Sequence, residues 1–293
     1  MKHLRIIACA PGLIAYYDGR VPDYRFMAEP NWVDQGAISL GIASYVLIQE
    51  NKALVYDTHV SIEHAKFIRA DLSARGVDDI TVLLSHWHLD HIAGNAVFSD
   101  CEIIANAKTL AHLKANRAAI ENGSFHGPPV IRPLVLPTRI FEGEMHFQLG
   151  SVDLTFMEAN IHSDDASLVW RAEDGLLLAG DTMEDTITYV GEPQEFDIHL
   201  KELDRLWALS PNFIFPNHGA PDILAVGGYG KGLIKAQQQY IRMLKRCQSD
   251  EGLRHLPLRE LIAGPLEMGW VNYFAPYEEV HAQNVQRVLA LLN

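Results

Sequence analysis

The chain has 293 residues, 48% of them hydrophobic, enough for one large packed domain or two ordinary ones, and this composition excludes global disorder. A formal net charge of −13 repels a phosphate backbone. The bases Lys231, Lys235, Arg242, Lys245 and Arg246 fall at helical spacing as one solvated face, so no nucleic-acid partner is expected.

Cys9, Cys101 and Cys247 lie far apart and form no C-x-x-C pair. This excludes a disulfide framework and fits a reducing, cytoplasmic setting. No stretch reaches the roughly 18–20 apolar residues of a membrane span. The opening MKHLRIIACAPGLIAYYDG reads as a first strand and not a secretion leader, because Pro11 and Gly12 interrupt its short apolar run.

ISLGIASYVL (38–47) and ALVY (53–56) read as two strands joined by QENK. SIEHAKFIRADLSARG follows as a helix, with Ile62, Ala65, Phe67, Ile68 and Leu72 near helical spacing and Gly76 as its stop. ITVLLS is a buried strand and CEIIAN (101–106) a short one. AKTLAHLKANRAAIEN is a helix ended by Gly123, and GPPVIRPLVLP is a proline-rich loop. Strands resume in HFQLGSVDLTFMEA and in ASLVWRAEDGLLLAGD, where EDG turns a hairpin. A helix over FDIHLKELDRLWAL and a strand in FIFPNHG follow. The C-terminal part holds a helix near 231–247, an irregular stretch and a closing helix near 277–292. Strand blocks alternate with helices and no linker divides them. The fold class is therefore α/β or α+β, as a single domain over residues 1–293.

The segment LLSHWHLDHIAGN (83–95) places three histidines and an aspartate just beyond a buried strand. On an extended backbone His86 and His88 point to the same side and can bind one metal ion. Asp90 and His91 come where the chain turns and can reach a second ion close by. Gly94 lets the backbone approach the site closely. Imidazole with carboxylate favours zinc, with iron or manganese as alternatives. Two metal positions need further ligands, and His162, Asp181 and His218 each sit beyond the end of a later apolar strand.

SHWHLDHIAGN, NIHSDD, LAGDT and PNHG, with the opening SYVLIQENKALVYDT, resemble the ordered motifs of the metallo-β-lactamase superfamily over about residues 38–220. The resemblance implies a four-layer αββα sandwich with the site at one edge of its two sheets. Additional N-terminal elements and an extension over 221–293 would pack on that core. It implies His86, His88 and His162 on a first divalent ion, Asp90, His91 and His218 on a second, and Asp181 bridging both. Asp57 would orient the site from behind. His59 stands where the family's motif usually has glycine, either as an extra polar group near the rim or as a harmless substitution.

Two such ions would make hydroxide available near neutral pH and polarise a carbonyl, with Asp90 orienting the nucleophile or relaying its proton. The expected activity is hydrolysis of a small ester, lactone or thioester, as in the lactonase and hydroxyacylglutathione hydrolase branch. The open alternatives are a small-molecule phosphodiesterase, a β-lactamase, a single-iron persulfide or thiol dioxygenase, and a non-enzymatic binding protein. His88 speaks against the diiron branch that carries glutamate there. Asp181 speaks against the true β-lactamases, which carry cysteine or serine.

Tyr189 is a candidate phenol donor to the oxyanion, with packing as its other reading. Lys231, Lys235 and Arg242 offer bases of the kind that glutathione-thioester enzymes use. Tyr16, Tyr17, Tyr24, Phe26 and Trp32, with Trp270, Tyr273, Phe274 and Tyr277, either cover the cleft, suiting an apolar or aromatic acyl substrate, or form core of the extra elements. A homodimer is an open expectation, since no self-complementary surface is legible.

Overall fold

The computed structural model describes residues 1–292. A seven-stranded sheet runs in chain order through β1 (Arg5–Ala10), β2 (Leu13–Asp18), β3 (Ile42–Gln49), β4 (Lys52–Tyr56), β5 (Asp79–Leu83), β6 (Glu102–Asn106) and β7 (Arg139–Phe141). β1 to β4 pair antiparallel, and β4 to β7 pair parallel. A five-stranded sheet follows, in which β8 (Glu144–Leu149), β9 (Val152–Ile161), β10 (Ser163–Arg171), β11 (Leu176–Gly180) and β12 (Phe213–Pro216) also lie in sequence order. The helices are α1 (Ile62–Ala74), α2 (Leu89–Ile92), α3 (Ala107–Asn122), α4 (Phe196–Ala208), α5 (Pro221–Ala225), α6 (Gly232–Arg246), α7 (Leu258–Leu261), α8 (Ala263–Glu267) and α9 (Tyr277–Ala290).

The layers follow from alternation along the strands. Tyr45 and Leu47 of β3, Leu54 and Tyr56 of β4, Leu83 of β5 and Ile104 of β6 point into the core between the sheets. Their neighbours Val46, Val55, Val82 and Ile103 point the other way, onto Ala65, Ile68 and Leu72 of α1 and Leu113 of α3. A period of two on the strands thus meets a helical stripe on one outer face. Phe196, Leu203 and Leu206 of α4 and Leu233, Ile234, Ile241 and Leu244 of α6 close the other outer face. Three buried tyrosines span the layers: Tyr45, Tyr56 and Tyr17 donate to the carbonyls of Pro216, Ser167 and Gly219, at 2.6, 2.6 and 3.0 Å.

The structure corrects two local expectations. Residues 38–40 are not strand: Val33, Ala37 and Ile38 bury at helical spacing against Ile42 and Val60 in a π-type turn over Val33–Ile38. The strand begins only after Gly41, whose φ of 78° ends that turn. The opening expected as one strand is a hairpin: β1 and β2 pair antiparallel across Pro11 and Gly12, and β2 pairs with β3, so the first sheet starts well before residue 38. The C-terminal helices α6 and α9 pack into the same core as the two sheets. No described helix is long and apolar enough to cross a membrane.

Gly94 fixes the segment that carries the histidine cluster. A Cβ there would lie 2.2 Å from the Thr58 carbonyl oxygen and 2.4 Å from the Ala65 Cβ. Gly94→Ala is expected to cost about 2–3 kcal/mol in urea unfolding, because backbone must move. Gly36→Ala meets nothing within 4 Å and is expected to leave the midpoint nearly unchanged.

Candidate metal centre

The seven side chains expected as ligands come from five places and meet at one edge of the sandwich. His86 and His88 follow β5, Asp90 and His91 lie on α2, and His162 is the single residue between β9 and β10. Asp181 directly follows β11, and His218 lies just past β12. His162 is held at φ 70°, a left-handed conformation that costs a non-glycine residue about 1 kcal/mol or more. It turns the ring into the site at the tip of the β9–β10 hairpin.

Two sets of donor atoms result. His88 Nδ1 lies 2.9 Å from His86 Nε2 and 3.0 Å from His162 Nε2. Asp90 Oδ2 lies 3.5 Å from His91 Nε2 and 3.4 Å from His218 Nε2. Asp181 Oδ2 stands between the sets, 3.7 and 3.6 Å from His86 and His162, and 3.1 and 3.4 Å from His91 and His218. Donors about 2.05 Å from a tetrahedral ion are about 3.4 Å apart; the set around Asp90 has that spacing, and the three imidazoles of the other set stand closer together. Asp181 Oδ1 is buried without a hydrogen-bond partner among the described residues, a lack that a shared cation would satisfy. The donor chemistry and this orphaned oxygen fit divalent ions.

The outer ring nitrogens are held as well. Asp57, buried at φ 68°, accepts from the Ser85 N–H and the Ser85 hydroxyl at 2.6 Å each, and from Asn217 Nδ2 at 2.6 Å. Its Oδ2 also lies 2.8 Å from His91 Nδ1. His86 Nδ1 meets the Ser85 hydroxyl at 2.9 Å, His218 Nδ1 the Gly41 carbonyl at 2.8 Å, and His162 Nδ1 the Tyr189 carbonyl at 3.1 Å. Each contact turns the ring's Nε2 inward, whereas His88 presents Nδ1.

The charge states divide the site. Burial, together with the neighbouring imidazoles, holds His86 well below the ordinary range; burial with the facing His162 and His91 brings His88 down to about 3, and burial with His91 and His218 brings His162 down to about 4. These three rings are neutral at pH 7. Burial also opposes charge on His91 and His218, but the Asp181 and Asp90 carboxylates outweigh it and hold both imidazoles well above their usual value. The same contacts hold Asp90 and Asp181 well below the carboxylate range despite burial.

Several residues carry parts that their motifs did not announce. Ser85 and Asn217 lie inside motif segments, yet only the packed structure shows that they bind Asp57. Glu184 is buried and accepts from Tyr277, from Thr188 and from the Tyr189 N–H; burial raises its carboxyl to about 8. No sequence signal marks it, because Tyr277 comes from the remote α9. His59 is not at the rim: it is fully buried and stacks on His64 with ring centroids 4.3 Å apart.

The aromatic segments separate in the same way. Tyr16, Tyr17 and Tyr277 are buried core, Trp270 and Phe274 pack against it, and Tyr273 bonds Glu278. Tyr24 and Phe26 pack beside Ile38 and Ile42. Of that set Trp32 reaches the cleft, where Phe125 and Tyr189 join it. Lys231 and Lys235 stack on the Trp207 ring, and neither lines the cleft.

The sequence model of the metallo-β-lactamase superfamily matches residues 39–218, a span that includes all seven side chains, and the chain belongs to that superfamily. Its members are metal-dependent hydrolases, and the fold implies binding of divalent metal. Among solved structures, the DIM-1 metallo-β-lactamase is 17% identical over 82% of this chain and 97% of its own, with a TM-score of 0.61. A metallo-β-lactamase from Pontibacter korlensis is 11% identical over 82% and 99%, also at 0.61. The TMB-1 structure is 16% identical over 83% and 98%, at 0.60. At such identities these likenesses show the fold. No curated protein matches the chain.

Two outcomes are expected. Metal-free protein at pH 7 should release roughly two protons as it fills, from the His91 and His218 imidazoliums, because deprotonated rings are the ligands. Calorimetry in buffers of different ionisation enthalpy reads this; uptake or no exchange contradicts the charge states. The sign requires affinity to rise with pH. Asp181→Ala should reduce bound metal by at least one equivalent in elemental analysis, since both sets share its carboxylate.

Proposed function

We propose that the chain is a dinuclear metal-dependent hydrolase of a small ester, lactone or thioester. The observation that carries this reading is Asp181 Oδ2 standing within 3.7 Å of ring nitrogens from both donor sets, on the wall of a cavity of about 510 Å³. In this reading His86, His88 and His162 hold one ion and Asp90, His91 and His218 the other, with zinc favoured by the nitrogen-rich set. Bound divalent ions supply Lewis acidity and make water ionisable near neutral pH.

The protein's own groups do the rest. Asp90 is the more exposed of the two site carboxylates and lines the cavity; in this reading it orients the attacking water or relays its proton. Tyr189 lines the same cavity, with its ring centroid 5.9 Å from that of His162. In this reading its phenol donates to the carbonyl oxygen as negative charge develops there. Glu184 anchors the Tyr189 backbone through the N–H it accepts.

Chelation should abolish turnover of aryl esters and lactones, and two equivalents of zinc should restore it. Tyr189→Phe should lower kcat by about 10- to 100-fold, with KM changed far less. Metal-replete protein inert on ester, lactone and thioester panels would sink the proposal. Faster cleavage of bis-(p-nitrophenyl) phosphate would replace it with a phosphodiesterase. Iron as the sole metal, with oxygen consumption, would replace it with a dioxygenase.

A further inference from the structure

Two cavities, of about 510 and about 400 Å³, meet along one edge. Gln35, Gly36, His88, Asp90, Tyr189 and Gln283 line both; His162, Asp181 and His218 line only the larger, so the proposed metal position belongs to the larger cavity and faces the smaller through His88 and Asp90. The two arms differ in chemistry. One is walled by Trp32, Leu89 and Phe125. Trp32 is fixed there by its indole N–H on the Pro129 carbonyl at 2.9 Å, and Phe125 rests on Trp87 with ring centroids 5.1 Å apart. The other is walled by the C-terminal segment, through Ala275, Pro276, Glu278, Glu279 and Val280.

The carboxylates of that second wall are not equivalent. Glu278 is occupied by the Leu258 and Arg259 N–H groups and the Tyr273 hydroxyl. Glu279 is exposed and accepts only a 3.4 Å contact from Gln283 among the described residues. Among the described residues no lysine or arginine lines either arm. Arg287 lies 4.5 Å over the Tyr189 ring but is not a lining residue. An anionic substituent held beside Glu279 would meet a carboxylate that no lysine or arginine offsets; the ions of the proposed centre attract it in the native chain and in Glu279→Lys alike, so the difference between the two proteins reads this side chain alone.

We infer that the cleft is a two-armed substrate site: Trp32 and Phe125 take an aromatic or apolar end, and Glu279 selects a neutral or cationic opposite end and rejects an anionic one. This rests on the hydrolase reading for what is cleaved and not for what binds. A molecule with a ring at one end and a charge at the other is oriented by its ring, which leaves the charge beside Glu279.

The test uses the metal-loaded full chain and three hydrolysis-resistant amides of phenylacetic acid. Their far ends are 2-trimethylammonioethyl, 2-methoxyethyl and carboxymethyl. Calorimetry should show the cationic and neutral amides binding at least about tenfold more tightly than the anionic one. Glu279→Lys, a surface change that should not disturb folding, should reverse the order. Phe125→Ala should weaken all three by about tenfold without changing their order, and thermal melting checks that it is folded.

Equal binding of the three amides, tightest binding of the anionic one, or an order unmoved by Glu279→Lys overturns the inference. The corresponding esters are assayed for turnover in parallel. Ordered binding without turnover would end the hydrolase reading and keep the two-armed site. Turnover without ordered binding would do the reverse.

Discussion

The site depends on one buried carboxylate, Asp57. It lies at the end of β4, is 1% exposed, and has a φ of 68°. An ionised carboxylate removed from water is costly unless its lone pairs are filled. Here they are filled by Ser85 after β5, His91 on α2 and Asn217 after β12. Two segments distant in sequence, Ser85–His91 after a strand of the first sheet and Asn217 after a strand of the second, must therefore arrive together for Asp57 to be tolerated. The first carries His86, His88, Asp90 and His91, and Asn217 directly precedes His218. Nearby ties act the same way: the Ala43 N–H donates to the Asn217 carbonyl, and the Ser167 N–H donates to the Ser85 carbonyl. The geometry of the donor atoms is thus built into folding.

The two donor sets prepare for cations by different means. Around His88 three neutral imidazoles crowd together, because burial and mutual repulsion keep protons off them. Around Asp90 and Asp181 the charges are already present, as imidazolium and carboxylate pairs. In the second set protons occupy the place that metal would take, so binding there is an exchange of cations. The buried Asp181 Oδ1 has no partner among the described residues in either arrangement. That is a cost a purely structural network would not be expected to carry.

Most of the architecture was legible from apolar periodicity and from turn residues. The α1 stripe, the buried strands before each ligand and the EDG hairpin all lie close to where their sequences place them, since those signals are local. The misread stretch at residues 38–40 is equally apolar as a strand or a helix, and packing against Val60 decided it. The aromatic residues were ambiguous for a related reason. Nothing local tells Tyr277, buried on Glu184, from Trp32, which reaches the cleft. Phe125 carried no sequence signal, because its partner Trp87 lies on a different segment.

The sequence by itself determined which residues could bind metal. Ligand chemistry belongs to the side chain, and a strand end is a local, readable place. It also determined the family, through the order of those motifs along the chain. The tertiary structure decided what depends on distant segments meeting. It showed that Asp181 stands between two donor sets, that Asp57 ties the Ser85–His91 segment to Asn217, and that His59 belongs to the interior. It also showed that the cleft is aromatic along one arm and acidic along the other. Distances and burial between remote residues are set by packing as a whole, and no single stretch of the chain contains them.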